Sequence, residues 1–499
     1  MKKTVVLLSM AGVVAVLVAS LSGAFGTGTT PAVYASRLAG IQGAGTSGIS
    51  VQNLDPTQPA TVLAQFYKQG GGAPVEVPLS GVAAGTAGVM YLPSITQLSN
   101  GAYAAIISAD RQIAAIARTD WNQSGATGIY SNVTPGNTII VPLVNKHYAA
   151  PSVDASSLIS IQNTDPSAQA TVKVELFANG AAGVAWSQDY SVPGGSSVTL
   201  DLGKDAAFNA LANGFLGTAK ITSATEVGVQ SFINIENSAK SVYAFEGVPA
   251  ESAATTLYAP LARDKHYGFT TGLSVVNTES TPVDVTVKYM ISGKMPGVTA
   301  CTEGQTFTDM ATIPGNSGAV FYNDATVNVP ITGKSTLPAG CVGGATLTAT
   351  GKILAVVNDF SQVNGGTSAA YNAVSAAQGA TKVALPLYRN GQKYLQSILT
   401  TGIQAMNISS QPANVQIKFA NGITNQAIPC AGGACDQTIA PGASYTWYPP
   451  TVAGVKDVRN VYGSAFITSN QPLAVIVNDF DEAGKGDAAL YNGIKADVQ

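Results

Sequence analysis

Three aspartates near the end of the chain form the group of side chains best suited to binding a metal ion. Asp479, Asp481 and Asp487 flank a short glycine-containing stretch. Carboxylate oxygens are the ligands that Ca²⁺ takes in proteins. The corresponding stretch of the preceding repeat, residues 361–366, lacks these carboxylates, and the ligand order is not that of an EF-hand. The sequence thus names calcium as a candidate cofactor, with a solvated hairpin loop as the alternative.

The chain has two histidines, and both lie in similar tetrapeptides. His147 belongs to Asn145-Lys-His-Tyr148 and His266 to Asp264-Lys-His-Tyr267. A metal-binding or catalytic role is one interpretation, and an exposed residue between two strands is the other. Equivalent positions of separate repeats are expected to lie far apart, so the two imidazoles should not converge on one ion.

Four cysteines are present, all in the second half of the chain. An even number in an exported protein indicates disulfides. Four cysteines allow three pairings, and locality favours Cys301 with Cys341 and Cys430 with Cys435. A zinc site is the competing interpretation, but the cysteines do not form paired C-x-x-C motifs and histidine is scarce.

The sequence carries no recognisable catalytic motif. It has no Gly-x-Ser-x-Gly elbow, phosphate-binding loop or His-Glu-x-x-His helix. A carboxylate pair for glycoside cleavage remains open, although only 28 acidic residues are available. Trp121, Trp186 and Trp447 are candidates for stacking on sugars, with burial in a core or interface as the alternative. These observations predict a protein that is not an enzyme.

Composition narrows the choice of partners. Charged residues make up 11% of the 499 residues and the net charge is −3, which does not suit a nucleic-acid-binding protein. Apolar residues reach 46%, so the chain is expected to fold. A surface poor in charge is compatible with close packing against copies of the same chain.

One sequence pattern occurs four times. Each copy is a short apolar alternation that ends on an asparagine turn, and a second alternation follows it. The marker asparagines are Asn53, Asn163, Asn277 and Asn407, separated by 110, 114 and 130 residues. Repeats of this length are whole domains, because solenoid units span roughly 20–50 residues.

Each repeat predicts a β-sandwich. Apolar residues alternate with a period of two, as in Val172, Val174 and Leu176, and Gly-containing turns separate seven or eight short segments. Strands of this kind are stable as two packed antiparallel sheets. The pattern resembles tandem immunoglobulin-like sandwiches of bacterial exported surface and filament proteins, although the Cys…Trp…Cys spacing of antibody domains is absent. We therefore predict an all-β chain of four tandem immunoglobulin-like antiparallel β-sandwiches after a signal peptide.

The N-terminus predicts export. Lys2 and Lys3 precede an uncharged apolar run and then small residues. Cleavage after Ala24 or Ala35 fits this pattern. Counting back from Asn53 places an opening strand at residues 29–38, which favours Ala24. The predicted boundaries are 1–24 for the signal peptide and 25–138, 139–256, 257–381 and 382–499 for the four modules.

Taken together, these features predict an extracellular or cell-surface structural protein that assembles with copies of itself into a layer, sheath or filament. Repeat 4 ends soon after its last tyrosine, so its final edge is expected to be open to strand donation from a neighbour. The alternative is a secreted adhesin or carbohydrate-binding protein with glycans or cell-envelope components as partners.

Overall fold

The computed structural model describes residues 45–496 except 122–124, 132, 150–152, 182, 236–240, 323–332, 362–365, 395–396 and 483–487. The described chain is all-β, and its sheets are antiparallel apart from one parallel pair, in which Phe321 and Tyr322 lie opposite Gly333 and Lys334. Short 3-10 turns interrupt the strands at Leu92–Ser94, Ala206–Phe208, Ala250–Ser252 and Pro449–Thr451. In these ranges no helix is long and apolar enough to span a membrane.

Module 1 (residues 45–135) shows the architecture most simply. Its strands are β1 (Gly45–Asn53), β2 (Ala60–Lys68), β3 (Val75–Val82), β4 (Ala87–Tyr91), β5 (Tyr103–Ala109), β6 (Ile113–Trp121) and β7 (Ala126–Ser131). Sheet A has the order β4-β1-β6-β7, and sheet B has the order β3-β2-β5. The inward faces of the two sheets form one apolar core.

Module 2 (residues 136–253) repeats this plan, and its described part also includes an opening strand. Its strands are β8 (Gly136–Lys146), β9 (Ala155–Asn163), β10 (Ala170–Ala178), β11 (Trp186–Val192), β12 (Ser197–Asp201), β13 (Phe215–Ile235), β14 (Ser241–Glu246) and β15 (Val248–Pro249). The long strand β13 replaces β5 and β6. Its first half pairs with β10 and β8 in sheet B, and its second half pairs with β9 and β14 in sheet A.

Modules 3 (254–379) and 4 (380–496) follow the same order. Module 3 contains β16 (Ala254–Asp264), β17 (Phe269–Asn277), β18 (Val283–Lys294), β19 (Thr306–Ile313), β20 (Gly318–Tyr322), β21 (Gly333–Lys334), β22 (Cys341–Ser361), β23 (Thr367–Asn372) and β24 (Val374–Ser375). Module 4 contains β25 (Ala380–Asn390), β26 (Gln392–Tyr394), β27 (Ser397–Asn407), β28 (Ala413–Asn421), β29 (Gln426–Ile428), β30 (Asp436–Ile439), β31 (Ser444–Trp447), β32 (Val461–Asp481), β33 (Ala489–Asn492) and β34 (Ile494–Lys495). The predicted boundaries after residues 138, 256 and 381 lie two or three residues inside the opening strands β8, β16 and β25.

The marker asparagines explain why the pattern recurs. All four side chains are fully buried, and each amide donates to two carbonyl groups that have the same place in every module. One acceptor lies four or five residues further on, in the turn, and the other is Val82, Val192, Ile313 or Ile439 at the end of the third repeated strand. Removing such an amide would leave buried carbonyls without donors, which is costly. The repeat therefore marks a structural clamp rather than a binding residue.

The four modules form a closed ring. Strands β7, β14, β23 and β33 contact one another in a cycle, so that module 4 returns to module 1. Sheet A of each module places apolar side chains in the core of the module before it. These side chains are Leu158, Phe232, Val242 and Ala244 in module 1, Val320, Val356 and Ala370 in module 2, Ile476, Ala488 and Leu490 in module 3, and Ile116 and Ile129 in module 4.

The ring corrects two expectations. Equivalent positions of different modules do not all lie far apart, because the four equivalent strands meet at the centre. The final edge of module 4 is also not open. Strand β25 lies between β32 and β34, with Val383 opposite Lys495 and Ala384 opposite Ile494. The opening strands complete their own sandwich rather than the preceding one, so the reason for predicting strand donation to module 4 is lost.

Both predicted cysteine pairs are joined in the structure. Cys301 bonds to Cys341 across 40 residues of module 3, and Cys430 bonds to Cys435 in module 4. Cys341 lies opposite Asp264 in the place that Phe215 has opposite Lys146. An inward aromatic position of one module has thus become half of a disulfide in the next.

Candidate functional site at the module junctions

A ring of polar side chains closes the centre of the molecule. Ser131, Glu246, Asn372 and Asn492 are the last residues of the four central strands. The Ser131 hydroxyl donates to Glu246 Oε1 at 2.9 Å, and Asn372 Nδ2 donates to Glu246 Oε2 at 3.0 Å. Asn492 Oδ1 accepts from the Asn372 backbone N–H at 3.0 Å, and Asn492 Nδ2 donates to the Asn372 carbonyl at 2.8 Å. One hydrogen-bonded chain therefore links all four modules.

Glu246 is the unusual member of this polar ring. It is 7% exposed, and its carboxylate accepts hydrogen bonds from the neutral groups of Ser131 and Asn372. Burial raises the pKa of Glu246, because removing a carboxylate from water disfavours its charged form. Hydrogen bonds from Ser131 and Asn372 act in the opposite direction without reversing the shift.

The junction between modules 4 and 1 contains a buried ionic cluster. Arg118 of module 1 donates through Nε to Asp120 at 2.8 Å and through Nη1 to Asp479 of module 4. Arg389 also pairs with Asp479, and the Tyr394 hydroxyl donates to Asp120 at 3.1 Å. The guanidinium carbons of Arg118 and Arg389 each lie 5.7 Å from the centre of the Tyr394 ring. The two arginines and two aspartates balance in charge.

The pKa shifts of Arg118 and Asp120 agree with a cluster that stays ionised, whereas burial lowers the pKa of Arg389. Burial favours neutral side chains, but Arg118 outweighs it and lowers the pKa of Asp120. In the same way Asp120 and Asp479 outweigh burial and raise the pKa of Arg118. Burial and the negative charge of Asp120 raise the pKa of Tyr394 to about 12, so its hydroxyl is a neutral donor at physiological pH.

A cavity of about 210 Å³ lies beside this cluster, between the two modules. Its wall combines aromatic rings with charged and amide groups: Tyr91, Tyr394, Tyr462, Arg118, Asp120, Arg389 and Gln392. Arg389 is 6% exposed, and in the described part of the chain its Nε has no acceptor and Gln392 Oε1 has no donor. These groups are available to a polar ligand in the cavity.

The junction between modules 2 and 3 has an equivalent cavity of different chemistry. Among the described residues that line it, this cavity of about 110 Å³ has no charged side chain, and its wall includes Leu143, Asn145, Tyr148, Tyr322, Asn358 and Phe360. Register equates Asn358 with Arg118 and Phe360 with Asp120. Asn145 is 5% exposed, and neither its Oδ1 nor the Tyr148 hydroxyl has a hydrogen-bond partner among the described residues.

In module 3 the position equivalent to Tyr148 is occupied by a histidine, His266. Tyr148, His266 and Gln392 each follow a residue with positive φ, namely His147, Lys265 and Gly391. This backbone equivalence corrects the sequence alignment, because His266 matches Tyr148 and not His147. Burial and Arg263 lower the pKa of His266 to about 4, so its imidazole is neutral at physiological pH. The Nδ1 atom of His266 also has no partner within the described ranges.

The other histidine has a local structural role. His147 is half-buried, and its Nδ1 lies 2.8 Å from Asp154 Oδ1 while its Nε2 lies 3.1 Å from the Gly203 carbonyl. The two imidazoles thus serve different modules in different ways.

The predicted calcium ligands are not brought together as a set. Asp479 is paired with two arginines, and Asp481 Oδ1 accepts the Ile398 backbone N–H at 3.0 Å. Asp487 lies outside the described residues. Among the described residues no group of three or more His, Cys, Asp or Glu side chains could hold a metal ion. The calcium site stays a prediction, with one of its carboxylates already paired with arginine.

Two of the predicted sugar-stacking residues are core residues. Trp121 is fully buried and Trp447 is 1% exposed. Trp186 is half-buried against Phe208, with ring centres 4.5 Å apart, and its indole N–H donates to the Ala207 carbonyl. The junction residues Arg118 and Glu246 were missed from the sequence. Their signal was a departure from the repeat, since the equivalents of Arg118 in modules 3 and 4 are Asn358 and Asn478.

The fold and the junctions between modules define the architecture of this protein as a closed ring of four β-sandwich modules. No family model matches the chain, and no curated protein matches it. Among solved structures, it is similar to the Anabaena sensory rhodopsin transducer at 14% identity, over 19% of this chain and 93% of that chain, with a TM-score of 0.16. A second is Thermotoga maritima 1070, at 18% identity over 24% and 98%, with a TM-score of 0.19.

A third similar structure is a tetra-tandem repeat from the extending region of a large adhesion protein. It has 13% identity over 93% of this chain and 98% of that chain, with a TM-score of 0.10. With TM-scores this low, none of the three similarities supports a functional inference.

Proposed function

We propose that this protein is an exported, non-enzymatic building block of an extracellular structure that assembles with copies of itself. The observation that carries the proposal is the closure of four sandwiches into one ring through their own faces. A closed ring is a stiff unit, because no module can move without breaking a packed junction. The two disulfides support an oxidising destination.

Contacts between rings would use the strand edges that remain unpaired after the ring has closed. In the described chain β3, β11, β19 and β30 each have one hydrogen-bonded neighbour and lie at equivalent outer edges of sheet B. Unpaired strand edges associate readily with other strands. Strand β19 also presents Met310, which is 68% exposed.

Negative-stain microscopy of the purified secreted protein tests this proposal. We expect four-lobed particles that form ordered layers or filaments as concentration rises. Met310→Lys should shift assembly to higher concentration, whereas Val184→Lys, at an exposed apolar site outside the edge strands, should not. Isolated particles at every concentration would reject assembly while leaving the ring intact.

A second candidate function is the binding of a small neutral polyhydroxylated molecule, such as a monosaccharide, in the cavity between modules 4 and 1 (the 4/1 cavity). The unpartnered Arg389 Nε and Gln392 Oε1 beside Tyr91 favour it, because ligand sites combine aromatic walls with a few polar groups. The cavity exceeds the ~150 Å³ that accommodates benzene.

A monosaccharide panel measured by ligand-observed NMR tests this candidate. A sugar that binds should lose affinity in Gln392→Ala and Tyr91→Ala, while Tyr148→Phe at the 2/3 junction leaves it unchanged. A panel without any binding would remove the adhesin interpretation at this cavity.

A further inference from the structure

The cavity between modules 2 and 3 (the 2/3 cavity) has the same place in the ring as the 4/1 cavity, but the charged groups are gone. Asn358 and Phe360 lie where the 4/1 cavity has Arg118 and Asp120. A ligand in the 2/3 cavity would meet no charged side chain among the described residues of its wall. Because a charge without a partner is costly to bury, the cavity suits a neutral molecule.

Two buried polar atoms of the 2/3 cavity specify one chemical group. Asn145 is 5% exposed and its Oδ1 has no donor among the described residues, and the buried hydroxyl of Tyr148 has no partner there either. Burial raises the pKa of Tyr148 to about 12, so its hydroxyl stays protonated and can donate. A carbonyl oxygen needs a donor and a phenolic O–H needs an acceptor. One hydroxyl group on a ligand supplies both, because it can donate one hydrogen bond and accept another.

The remaining wall is mainly apolar and sets the size of the ligand. Leu143, Leu216 and Val320 are each less than 9% exposed, and the rings of Tyr322 and Phe360 are partly buried beside them. The volume of about 110 Å³ is smaller than the ~150 Å³ that accommodates benzene. The cavity therefore fits a chain of about four carbons rather than a six-membered ring.

We propose that the 2/3 cavity binds a small neutral alcohol, whose hydroxyl donates to Asn145 Oδ1 and accepts from the Tyr148 hydroxyl while its carbon chain lies against the apolar wall. Binding satisfies two buried polar atoms and removes apolar surface from water in one step. Equivalent places in the ring then select different ligands, a polyhydroxylated molecule between modules 4 and 1 and a molecule with a single hydroxyl between modules 2 and 3.

Titration with 2-butanol and 2-butanone tests the proposal in the full, folded protein. The two molecules share a carbon skeleton, and both can accept from Tyr148, but only the alcohol can donate to Asn145. With ¹³C-labelled leucine and valine methyl groups, we expect 2-butanol to shift the Leu216 and Val320 signals to saturation. Its Kd should be at least about threefold lower than that of 2-butanone, as expected for one additional hydrogen bond.

Variants of the two polar residues separate their contributions. Asn145→Leu keeps a similar volume but removes the acceptor, so 2-butanol should lose its advantage over 2-butanone. Tyr148→Phe removes the donor and should weaken both molecules by a similar factor. Gln392→Ala, at the position equivalent to Tyr148 in the 4/1 cavity, is the matched control and should change neither titration.

Three results would overturn the proposal. Equal affinities of the wild type for the two molecules would show that the Asn145 acceptor is not used. Affinities that stay the same in Asn145→Leu and Tyr148→Phe would place binding elsewhere. A folded protein whose Leu216 and Val320 signals do not shift with either molecule would leave the cavity to water.

Discussion

The 4/1 and 2/3 junctions have equivalent places in the ring but opposite chemistry. The 4/1 junction holds Arg118 and Asp120 against Arg389 and Asp479, whereas the 2/3 junction holds neutral and apolar groups around a smaller cavity. The same backbone register thus supports a buried ionic cluster in one case and an apolar wall in the other.

The difference follows from chain connectivity. Four residues connect the last strand of each module to the opening strand of the next, at 132–135, 250–253 and 376–379. Such short links hold consecutive modules at high effective concentration. Modules 1 and 4 are joined only through the whole chain, and the entropic cost of closure grows with loop length. The junction that closes the ring therefore needs the most specific contact.

Arg118→Asn should produce the largest effect, because asparagine is the residue that modules 3 and 4 use at this place. It leaves Asp120 buried without its guanidinium partner, and breaking a buried pair costs about 3–5 kcal/mol. We expect a loss of this size in urea unfolding and an increased radius of gyration in X-ray scattering.

Asn358→Ala at the 2/3 junction is the matched control for that change. Its contact with the Ser274 hydroxyl is long, at 3.4 Å, so the cost should stay near 1 kcal/mol. Equal losses for the two variants would show that ring closure does not depend on charge.

Removing a tyrosine hydroxyl should have an intermediate effect on stability at the 4/1 junction and almost none at the 2/3 junction. Tyr394→Phe deletes a hydrogen bond to the Asp120 carboxylate, and hydrogen bonds to charged groups contribute about 1.5–3 kcal/mol. Tyr148→Phe deletes a hydroxyl that has no partner among the described residues, so stability should be unchanged or slightly higher. Chemical denaturation of both variants measures the difference, and a larger loss for Tyr148→Phe would reverse the comparison.

Glu246→Gln, at the centre shared by all junctions, should have the smallest effect at neutral pH. The folded-state pKa of Glu246 is raised, so its protonated form stabilises the ring below the ordinary carboxyl pKa. This contribution is lost as pH rises through the folded-state value. Glutamine stays neutral, and Asn372 Oδ1, which lacks a donor in the described chain, can accept from its amide after reorientation.

We therefore expect Glu246→Gln to be more stable than the wild type at pH 7 and to flatten the pH dependence of the melting temperature. Asn492→Asp, which adds a carboxylate to the same polar ring, should steepen it. A wild-type melting temperature that rises between pH 5 and pH 8, and does so less in Glu246→Gln, would contradict the assigned shift.

Sequence patterns were sufficient for the elements of this fold but not for their assembly. The all-β sandwiches followed from period-two alternation, and the marker asparagines were visible because their buried amides impose one residue type. The ring was not predictable, since which sheet faces touch depends on shape summed over many small side chains. The histidine alignment was wrong by one residue because the shared Lys-His dipeptide outweighed the positive φ that sets the true register.

The candidate site was partly visible in the sequence. Arg118 was missed, although two other repeats have asparagine at its place, and its partner Asp479 lies 361 residues away. The sequence predicts Asp479 as a calcium ligand because a carboxylate at a strand end suits a cation. In the structure, the guanidinium groups of Arg118 and Arg389 supply the positive charge beside Asp479.

The direction of the junctions gives the ring a sidedness. Every contact places sheet A of one module on the module before it, a head-to-tail arrangement that has no two-fold axis in the plane of the ring. The two faces of the ring are therefore chemically different. A layer built from such rings in one orientation would carry one face outward and the other toward the cell, so that inside and outside would be distinguished by the subunit itself.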